Sequence, residues 1–218
     1  MTRTYVKPFP RIVLAIARVL HRILLRWTIT GTENVPADGA FIVVANHVHL
    51  ADPILLLLSL PRWITFMAKE ELFRNAILGR LLRDAGIFPV ARAGSVQQKR
   101  DVMRQAEELL AAGHVLALFP EGSRSRSGEM QAGKGGAAIL AIHAGVPVLP
   151  VAIDGTEQLY RTAWWLRRPR VTVTVGAPFR LQTGSERMPR SELSRLTDEL
   201  MHHIAELMPE ERRGPYAG

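Results

Sequence analysis

The hydrophobic positions along the chain form short runs of strand length that are separated by helical patterns. These runs are WTITG, AFIVVAN, WITFMA, IFPV, HVLALF, VPVLPVAI and VTVTVG. AFIVVAN is continuous rather than alternating, which is typical of a strand that is buried on both faces of a sheet. Strands that alternate with helices predict a single α/β domain with a mixed, largely parallel sheet flanked by helices.

Two of the predicted helices follow from local signals at their ends. Ser95 and Gln98 have the spacing of a capping box, and the helix that they begin covers VQQKRDVMRQAEELLAA before Gly113 ends it. The last helix is predicted at about residues 189–208. The remaining residues, 209–218, read PEERRGPYAG and are expected to be a flexible tail.

The N-terminal segment, residues 1–28, has the pattern of an amphipathic helix. One face carries Arg11, Arg18, Arg22 and Arg26. The other face carries Ile12, Val13, Ile16, Leu20, Ile23, Leu24 and Trp27. Its longest uncharged apolar stretch, IVLAIA, is far shorter than the roughly 20 residues that span a bilayer. The pattern favours a helix that lies in a lipid interface, although a helix packed on its own domain would also be amphipathic.

Length, composition and charge narrow the class of protein. A chain of 218 residues with 47% hydrophobic residues supports one substantial core, which we place in residues 29–208. The absence of cysteine excludes disulfides, thiolate metal sites and thiol nucleophiles. A net charge of +8 favours an anionic partner. Nucleic acid is not expected, because the arginines lack interleaved aromatic residues or a recognition motif.

A polar segment breaks the apolar pattern at residues 43–53, which read VVANHVHLADP. His47 and Asp52 would lie about 16 Å apart on a strand and about 140° apart on a helix, so they meet only if the chain turns between them. Asp52 followed by Pro53 is a good N-cap and N1 pair for a helix. The sequence therefore predicts a strand, a turn and a helix, with His47 just beyond the carboxyl end of the strand.

Ligands bind at the carboxyl ends of strands in open α/β sheets. An imidazole that donates to a carboxylate from one nitrogen can take a proton from a hydroxyl at the other. A structural His47 and a simple helix cap at Asp52 would explain the same residues. His49 competes for either role, and no further ligand cluster supports a metal site with these side chains.

A second polar segment, PEGSRSRSGEMQAGKGG, follows the predicted strand HVLALF. It contains Glu121, Arg124, Arg126 and Lys134 among glycines and hydroxyl groups. Guanidinium groups bind phosphate in a bidentate manner. The segment contains neither a P-loop nor a nucleophile elbow, so Ser123 has no evident route to an acyl-enzyme. Such a segment alone is also typical of a solvated loop.

With both segments in view, the chain resembles the 1-acylglycerol-3-phosphate (lysophosphatidic acid) acyltransferase family. Four blocks similar to the family's motifs occur in order within residues 31–155: NHVHLAD, GIFPVAR, FPEGSRS and VPVLPVAI. The first block, His-x4-Asp, implies that His47 is the catalytic base and that Asp52 is its partner. The predicted substrate-binding residues are Arg92, Glu121, Gly122, Ser123, Arg124 and Lys134.

The resemblance implies a reaction that needs no cofactor or metal. The free hydroxyl of lysophosphatidic acid would attack the thioester of acyl-CoA or an acyl carrier protein, giving phosphatidic acid for phospholipid synthesis. Together with the basic N-terminal helix, it leads us to expect a peripheral protein on the anionic cytoplasmic face of the cell membrane. His49, Ala91 and Ser123 depart from residues common in the family, which leaves another lyso-lipid acceptor open.

Two further alternatives remain open at this point. A catalytically silent membrane-binding protein would retain the lipid contact without turnover. The segment YRTAWWLRRPR places Trp164 and Trp165 beside several arginines, which suits a second contact with lipid headgroups. A buried tryptophan pair next to a solvated basic turn would give the same sequence.

Overall fold

A sheet of seven strands forms the centre of the computed structural model, which describes residues 8–84, 86–90, 95–184 and 188–218. The strands are β1 (Arg26–Thr30), β2 (Ile42–Ala45), β3 (Ile64–Lys69), β4 (Phe88–Val90), β5 (Val115–Leu118), β6 (Val148–Asp154) and β7 (Arg170–Val175). They lie in the order β1-β7-β6-β2-β5-β3-β4. Only the β6–β7 pair among these neighbours is antiparallel. The predicted mixed, largely parallel sheet is therefore confirmed.

The helices surround this sheet, and their ends follow the local signals. They are α1 (Pro8–Leu24), α2 (Asp52–Ser59), α3 (Ala76–Asp84), α4 (Val96–Ala111), α5 (Gly136–Ala144), α6 (Trp164–Arg167) and α7 (Arg190–Ala205). The predicted capping box begins α4, because the Gln98 N–H donates to Ser95 Oγ and the Ser95 N–H donates to Gln98 Oε1. This exchange satisfies two backbone donors that the helix leaves unpaired.

The central strand β2 separates two hydrophobic cores. Val44 contributes to the core that contains residues of α4, α5 and α7, whereas Val43 and Ala45 contribute to the core that contains residues of α2. Every residue of β2 is fully buried. Burial on both faces explains why this strand is a continuous apolar run and not an alternating one.

The last ten residues, where the sequence predicts a flexible tail, contact the domain through Arg212 and Tyr216. The Tyr216 ring is buried and belongs to the core beneath α7. Its hydroxyl oxygen accepts a hydrogen bond from the Gly133 N–H at 2.9 Å. One aromatic residue in a polar segment provides enough apolar surface to anchor the segment.

The N-terminal helix α1 ends earlier than the helical wheel suggested. Arg26 and Trp27, which the wheel placed on the helix, belong to β1. Residues 1–7 and the side chain of Arg11 lie outside the described part of the chain. Among the described residues, no helix combines the length and the hydrophobicity needed to cross a bilayer.

The exposed part of α1 is apolar as well as basic. Five aliphatic side chains on one face are about half exposed: Ile12, Ile16, Val19, Leu20 and Ile23. The side chains that are partly buried lie on a different face: Val13, Leu14, Ala17, His21 and Leu24. Because the helix packs through the second group, packing on the domain leaves the first group uncovered.

Candidate active site

Two polar segments meet because their strands are neighbours in the sheet. β2 and β5 pair in parallel, with Val44 opposite Leu118. His47 and Glu121 each lie three residues beyond this pair, so the register brings them to the same edge of the sheet. The His47 N–H donates to Glu121 Oε1 at 3.0 Å.

The turn predicted between His47 and Asp52 is present. His47 Nδ1 lies 2.8 Å from Asp52 Oδ2, and Asp52 is fully buried. The same carboxylate oxygen accepts hydrogen bonds from the N–H groups of Val48 and His49, both at 2.7 Å. Three donors from one short turn therefore hold the carboxylate in place.

The predicted capping role of Asp52 is wrong by one position. Ala51 is the N-cap residue of α2, and Asp52 is its first helical residue. The carboxylate points back to the turn and makes no capping bond to the helix. The donors of the turn, including an imidazole nitrogen, hold it there.

The contact with Asp52 fixes the tautomer of His47. An ionised carboxylate only accepts hydrogen bonds, so Nδ1 carries the proton and Nε2 keeps a lone pair. The imidazole also stacks on the Phe119 ring, with the ring centres 4.1 Å apart. These contacts orient a base whose free nitrogen is Nε2.

Glu121 is a structural partner of this turn. Its side chain is buried, and its Oε2 accepts hydrogen bonds from the Gln131 N–H at 3.2 Å and from Gln131 Nε2 at 3.1 Å. Burial raises the pKa of the Glu121 carboxyl, and these hydrogen bonds oppose the increase. Both Glu121 oxygens bind protein donors, so this carboxylate holds the turn and the following loop together. Its contact with the acceptor stays a prediction.

His49 does not compete with His47 for Asp52. Its Nδ1 accepts a hydrogen bond from the Ala51 N–H at 3.1 Å, and its ring meets the Tyr160 ring edge-on. Burial lowers the pKa of His49, which favours the neutral imidazole. Within the described ranges, no group of three or more histidine, aspartate or glutamate side chains is arranged to hold a metal.

An open cavity of about 980 Å³ lies beside the turn. It is lined by Ser123, Arg124, Arg126, Ser127, Glu157, Gln158, Tyr160, Arg161 and Arg212. We call it the arginine cavity. Four guanidinium groups and one carboxylate give its wall a positive charge, which suits an anionic group.

Tyr160 connects the arginine cavity to the His47 turn. Its hydroxyl donates to the Val48 carbonyl at 2.9 Å and accepts from Arg124 Nη1 at 3.4 Å. Tyr160 could not be predicted as a site residue, because it lies 112 residues beyond Val48 and in no recognised block. No signal in the local sequence indicates the contact.

A second, apolar cavity of about 240 Å³ lies between α4, α5 and the sheet. We call it the apolar cavity. Most of its wall is formed by Met67, Val102, Met103, Ala106, Leu118, Phe119 and Leu140. Lys134 and Gly122 also line it. Phe119 links this cavity to His47 through the ring stack.

The structure separates the predicted substrate-binding residues into different environments. Ser123 and Arg124 line the arginine cavity, whereas Gly122 and Lys134 line the apolar cavity. Gly122 has φ = +72°, and a Cβ there would lie 2.6 Å from Lys134 Nζ. Glycine therefore leaves room for the lysine amine. Arg92 lies outside the described residues.

Comparison with known proteins gives the same assignment as the motifs. The model of the acyltransferase family matches residues 26–154. A 1-acyl-sn-glycerol-3-phosphate acyltransferase of Streptococcus pneumoniae is 31% identical over 195 residues, covering 84% of this chain and 66% of that protein. The Bacillus subtilis protein of the same name is 28% identical over 179 residues, covering 80% of this chain and 84% of that protein.

A plant relative extends the comparison. The chloroplastic 1-acyl-sn-glycerol-3-phosphate acyltransferase LPAT1 of Arabidopsis thaliana is 35% identical over 135 residues, which are 62% of this chain and 37% of that protein. The chain thus spans less than two thirds of the length of several curated relatives that it matches.

The crystal structure of the 1-acyl-sn-glycerophosphate acyltransferase PlsC from Thermotoga maritima superposes with a TM-score of 0.69 at 29% identity. The superposition covers 91% of this chain and 79% of that one. The family model spans more than half of the chain, and the fold agrees with a solved relative. The chain belongs to the acyltransferase family.

Proposed function

We propose that this protein transfers a fatty acyl group from an acyl thioester to the free hydroxyl of 1-acyl-glycerol-3-phosphate, giving phosphatidic acid. The donor is acyl-CoA or an acyl carrier protein. The observation that carries the proposal is the 2.8 Å contact between His47 Nδ1 and the buried Asp52 carboxylate, at the carboxyl end of β2. The names of the relatives support lysophosphatidic acid as the acceptor.

The reaction follows from the fixed orientation of His47. Its Nε2 removes the proton from the acceptor hydroxyl as the oxygen attacks the thioester carbon, and Asp52 stabilises the resulting imidazolium. The C–S bond then breaks, and the leaving thiolate takes the proton from the imidazolium. No protein nucleophile is needed, which agrees with the absence of cysteine.

The two cavities beside His47 suit the two ends of the lipid substrates. The arginine cavity offers guanidinium groups to the phosphate of the acceptor. The apolar cavity offers aliphatic and aromatic surface to an acyl chain. Both contain residues that contact the His47 turn or the His47 ring.

The test is an acyl-transfer assay with purified protein. Lysophosphatidic acid and a set of acyl thioesters are supplied, and the products are followed by mass spectrometry. We expect phosphatidic acid to form faster than the products of lysophosphatidylcholine or of a monoacylglycerol. Faster acylation of another lyso-lipid would replace the acceptor in this proposal, and no transfer to any acceptor would contradict the reaction itself.

We further propose that α1 holds the protein on the anionic cytoplasmic face of the cell membrane. The five exposed aliphatic side chains of α1 suit the acyl region, and the exposed Arg18 and Arg22 suit anionic headgroups. On α6, Trp165 and Leu166 are also exposed, whereas Trp164 packs against the core. Trp165 therefore supports the headgroup contact, and Trp164 supports the structural alternative.

Binding to liposomes tests this location. Replacing Arg18 and Arg22 with glutamate removes an attraction worth about 1 kcal/mol for each basic residue near an anionic surface. We expect weaker co-sedimentation with anionic liposomes and little change with neutral ones. Equal binding of the parent and the variant to anionic liposomes would contradict an electrostatic role of α1.

A further inference from the structure

The catalytic turn is held through its backbone by the loop that follows β5. The His47 N–H donates to the Glu121 carboxylate at 3.0 Å, and the His47 carbonyl accepts from the Ser125 N–H at 2.8 Å. Both backbone groups of His47 therefore depend on the position of residues 121–135, which we call the β5 loop. Whatever fixes this loop also fixes the base.

The far half of the β5 loop is bound by the C-terminal segment, residues 209–218. The Met130 N–H donates to the Arg212 carbonyl at 2.8 Å. The Gly133 N–H donates to the Tyr216 hydroxyl at 2.9 Å. These two bonds flank Gln131, whose backbone and side chain both donate to Glu121.

The C-terminal segment is itself anchored at two sites. Arg212 Nη2 donates to Glu157 Oε1 at 2.8 Å, and the Tyr216 ring is buried against α7. Gly214 has φ = +55°, and a Cβ there would lie 2.2 Å from the Met130 carbonyl oxygen. The segment thus approaches the β5 loop more closely than any residue with a side chain allows at this position.

We infer that the C-terminal segment is a positioning element for acyl transfer, acting on His47 through Gln131 and Glu121. The contacts form a continuous series: Tyr216 and Arg212 hold residues 130–133, Gln131 holds Glu121, and Glu121 holds the His47 backbone. Tyr216 and Arg212 act at a distance from the reacting atoms. This inference rests on the proposed function, since its readout is acyl transfer.

The first test is Tyr216→Phe, which keeps the buried ring and removes only the acceptor of the Gly133 N–H. We expect kcat to fall roughly 3- to 10-fold, the equivalent of one hydrogen bond, with the KM for the thioester unchanged. The rates are measured well below the melting temperature, so that a loss of stability alone leaves kcat unchanged. A kcat equal to that of the parent would overturn the inference.

A double-mutant cycle tests the route to His47. If Tyr216 acts through Gln131, adding Tyr216→Phe to Gln131→Ala lowers kcat by a smaller factor than Tyr216→Phe lowers it in the parent, because only the backbone N–H of residue 131 still donates to Glu121. Losses that multiply independently would contradict the series of contacts, even if each single variant is slower than the parent.

A second pair of variants tests the position of the whole segment. Gly214→Ala forces the segment away from Met130, so we expect a loss of kcat at least as large as that of Tyr216→Phe. Gly218→Ala is the matched control, because nothing lies within 4 Å of a Cβ at that position. Equal rates for these two variants would overturn the inference, whereas a parent that transfers no acyl group would contradict the proposed function instead.

Discussion

The turn after β2 and the loop after β5 lie side by side at one edge of the sheet, but they are built differently. In the turn, His47 and Asp52 are buried, and the carboxylate accepts three hydrogen bonds from its own segment. In the loop, Arg124 and Arg126 are exposed and line an open cavity. The group that is proposed to move protons is fixed before any substrate arrives, whereas the groups that suit an anion remain accessible.

This difference has a physical reason. Proton transfer requires a defined tautomer and a short distance, and a closed network of hydrogen bonds provides the tautomer and the orientation of the ring. Binding of a phosphate requires charge, and long arginine side chains can adjust to the position of the anion. Glu121 is a residue of the loop, but its side chain is buried like the residues of the turn and accepts a hydrogen bond from the His47 N–H.

The largest expected effect comes from removing the charge of the Asp52 carboxylate in the turn after β2. Asp52→Asn keeps the size of the side chain and an oxygen that can accept from Val48 and His49, but it removes the negative charge that is proposed to stabilise the imidazolium of His47. We expect kcat to fall by about 10² to 10⁴, the usual contribution of general acid–base catalysis. Circular dichroism and thermal melting check that the fold is retained. A rate within a factor of two of the parent, roughly 0.4 kcal/mol of activation free energy, would contradict the role of Asp52.

A smaller effect is expected from a substitution in the arginine cavity. Arg124→Ala removes a guanidinium group that is proposed to bind the acceptor phosphate, and a hydrogen bond to a charged group contributes about 1.5–3 kcal/mol. We expect the KM for lysophosphatidic acid to rise roughly tenfold or more, while the KM for the thioester stays the same. A similar loss with a phosphate-free monoacylglycerol would indicate that Arg124 does not bind phosphate.

The smallest expected effect is that of Glu121→Gln, at the residue that links the two regions. This effect is a change in how the unfolding free energy depends on pH. Because burial raises the pKa of this carboxyl above 4.5, the folded protein binds the proton more tightly than the unfolded chain. The parent should therefore lose unfolding free energy, relative to Glu121→Gln, as the pH rises from below 4.5 through the raised pKa. Urea unfolding across this range measures the difference.

Glu129→Gln is the matched control for this experiment, because Glu129 is an exposed residue of the same loop. We expect it to follow the parent at every pH. If Glu121→Gln also followed the parent, the carboxyl would not have the buried environment described above.

Much of the fold and half of the site could be predicted from local sequence. Continuous apolar runs identify the buried strands, and the interval between His47 and Asp52 leaves a turn as the only way for the two to meet. Each polar segment could be placed at the end of a strand. The sequence does not say that β2 and β5 are neighbours, because strand order depends on contacts between distant parts of the chain.

Other features of the site also depend on contacts between distant parts of the chain. The bonds of Glu121 to His47 and Gln131 have no signal in the local sequence, because they depend on how the two segments meet in the fold. The C-terminal segment is mostly polar, which predicts a flexible tail, whereas the structure buries Tyr216 in the core. Tyr160 is recognised only through its contacts with Val48 and Arg124.

The most direct test of the account is the acyl-transfer rate of His47→Ala with lysophosphatidic acid and an acyl thioester, measured by the mass of phosphatidic acid formed. Because the ring is the proposed base, we expect a folded variant that binds anionic liposomes like the parent and forms the product about 10² to 10⁴ times more slowly. A folded variant with the rate of the parent would show that this imidazole is not the base.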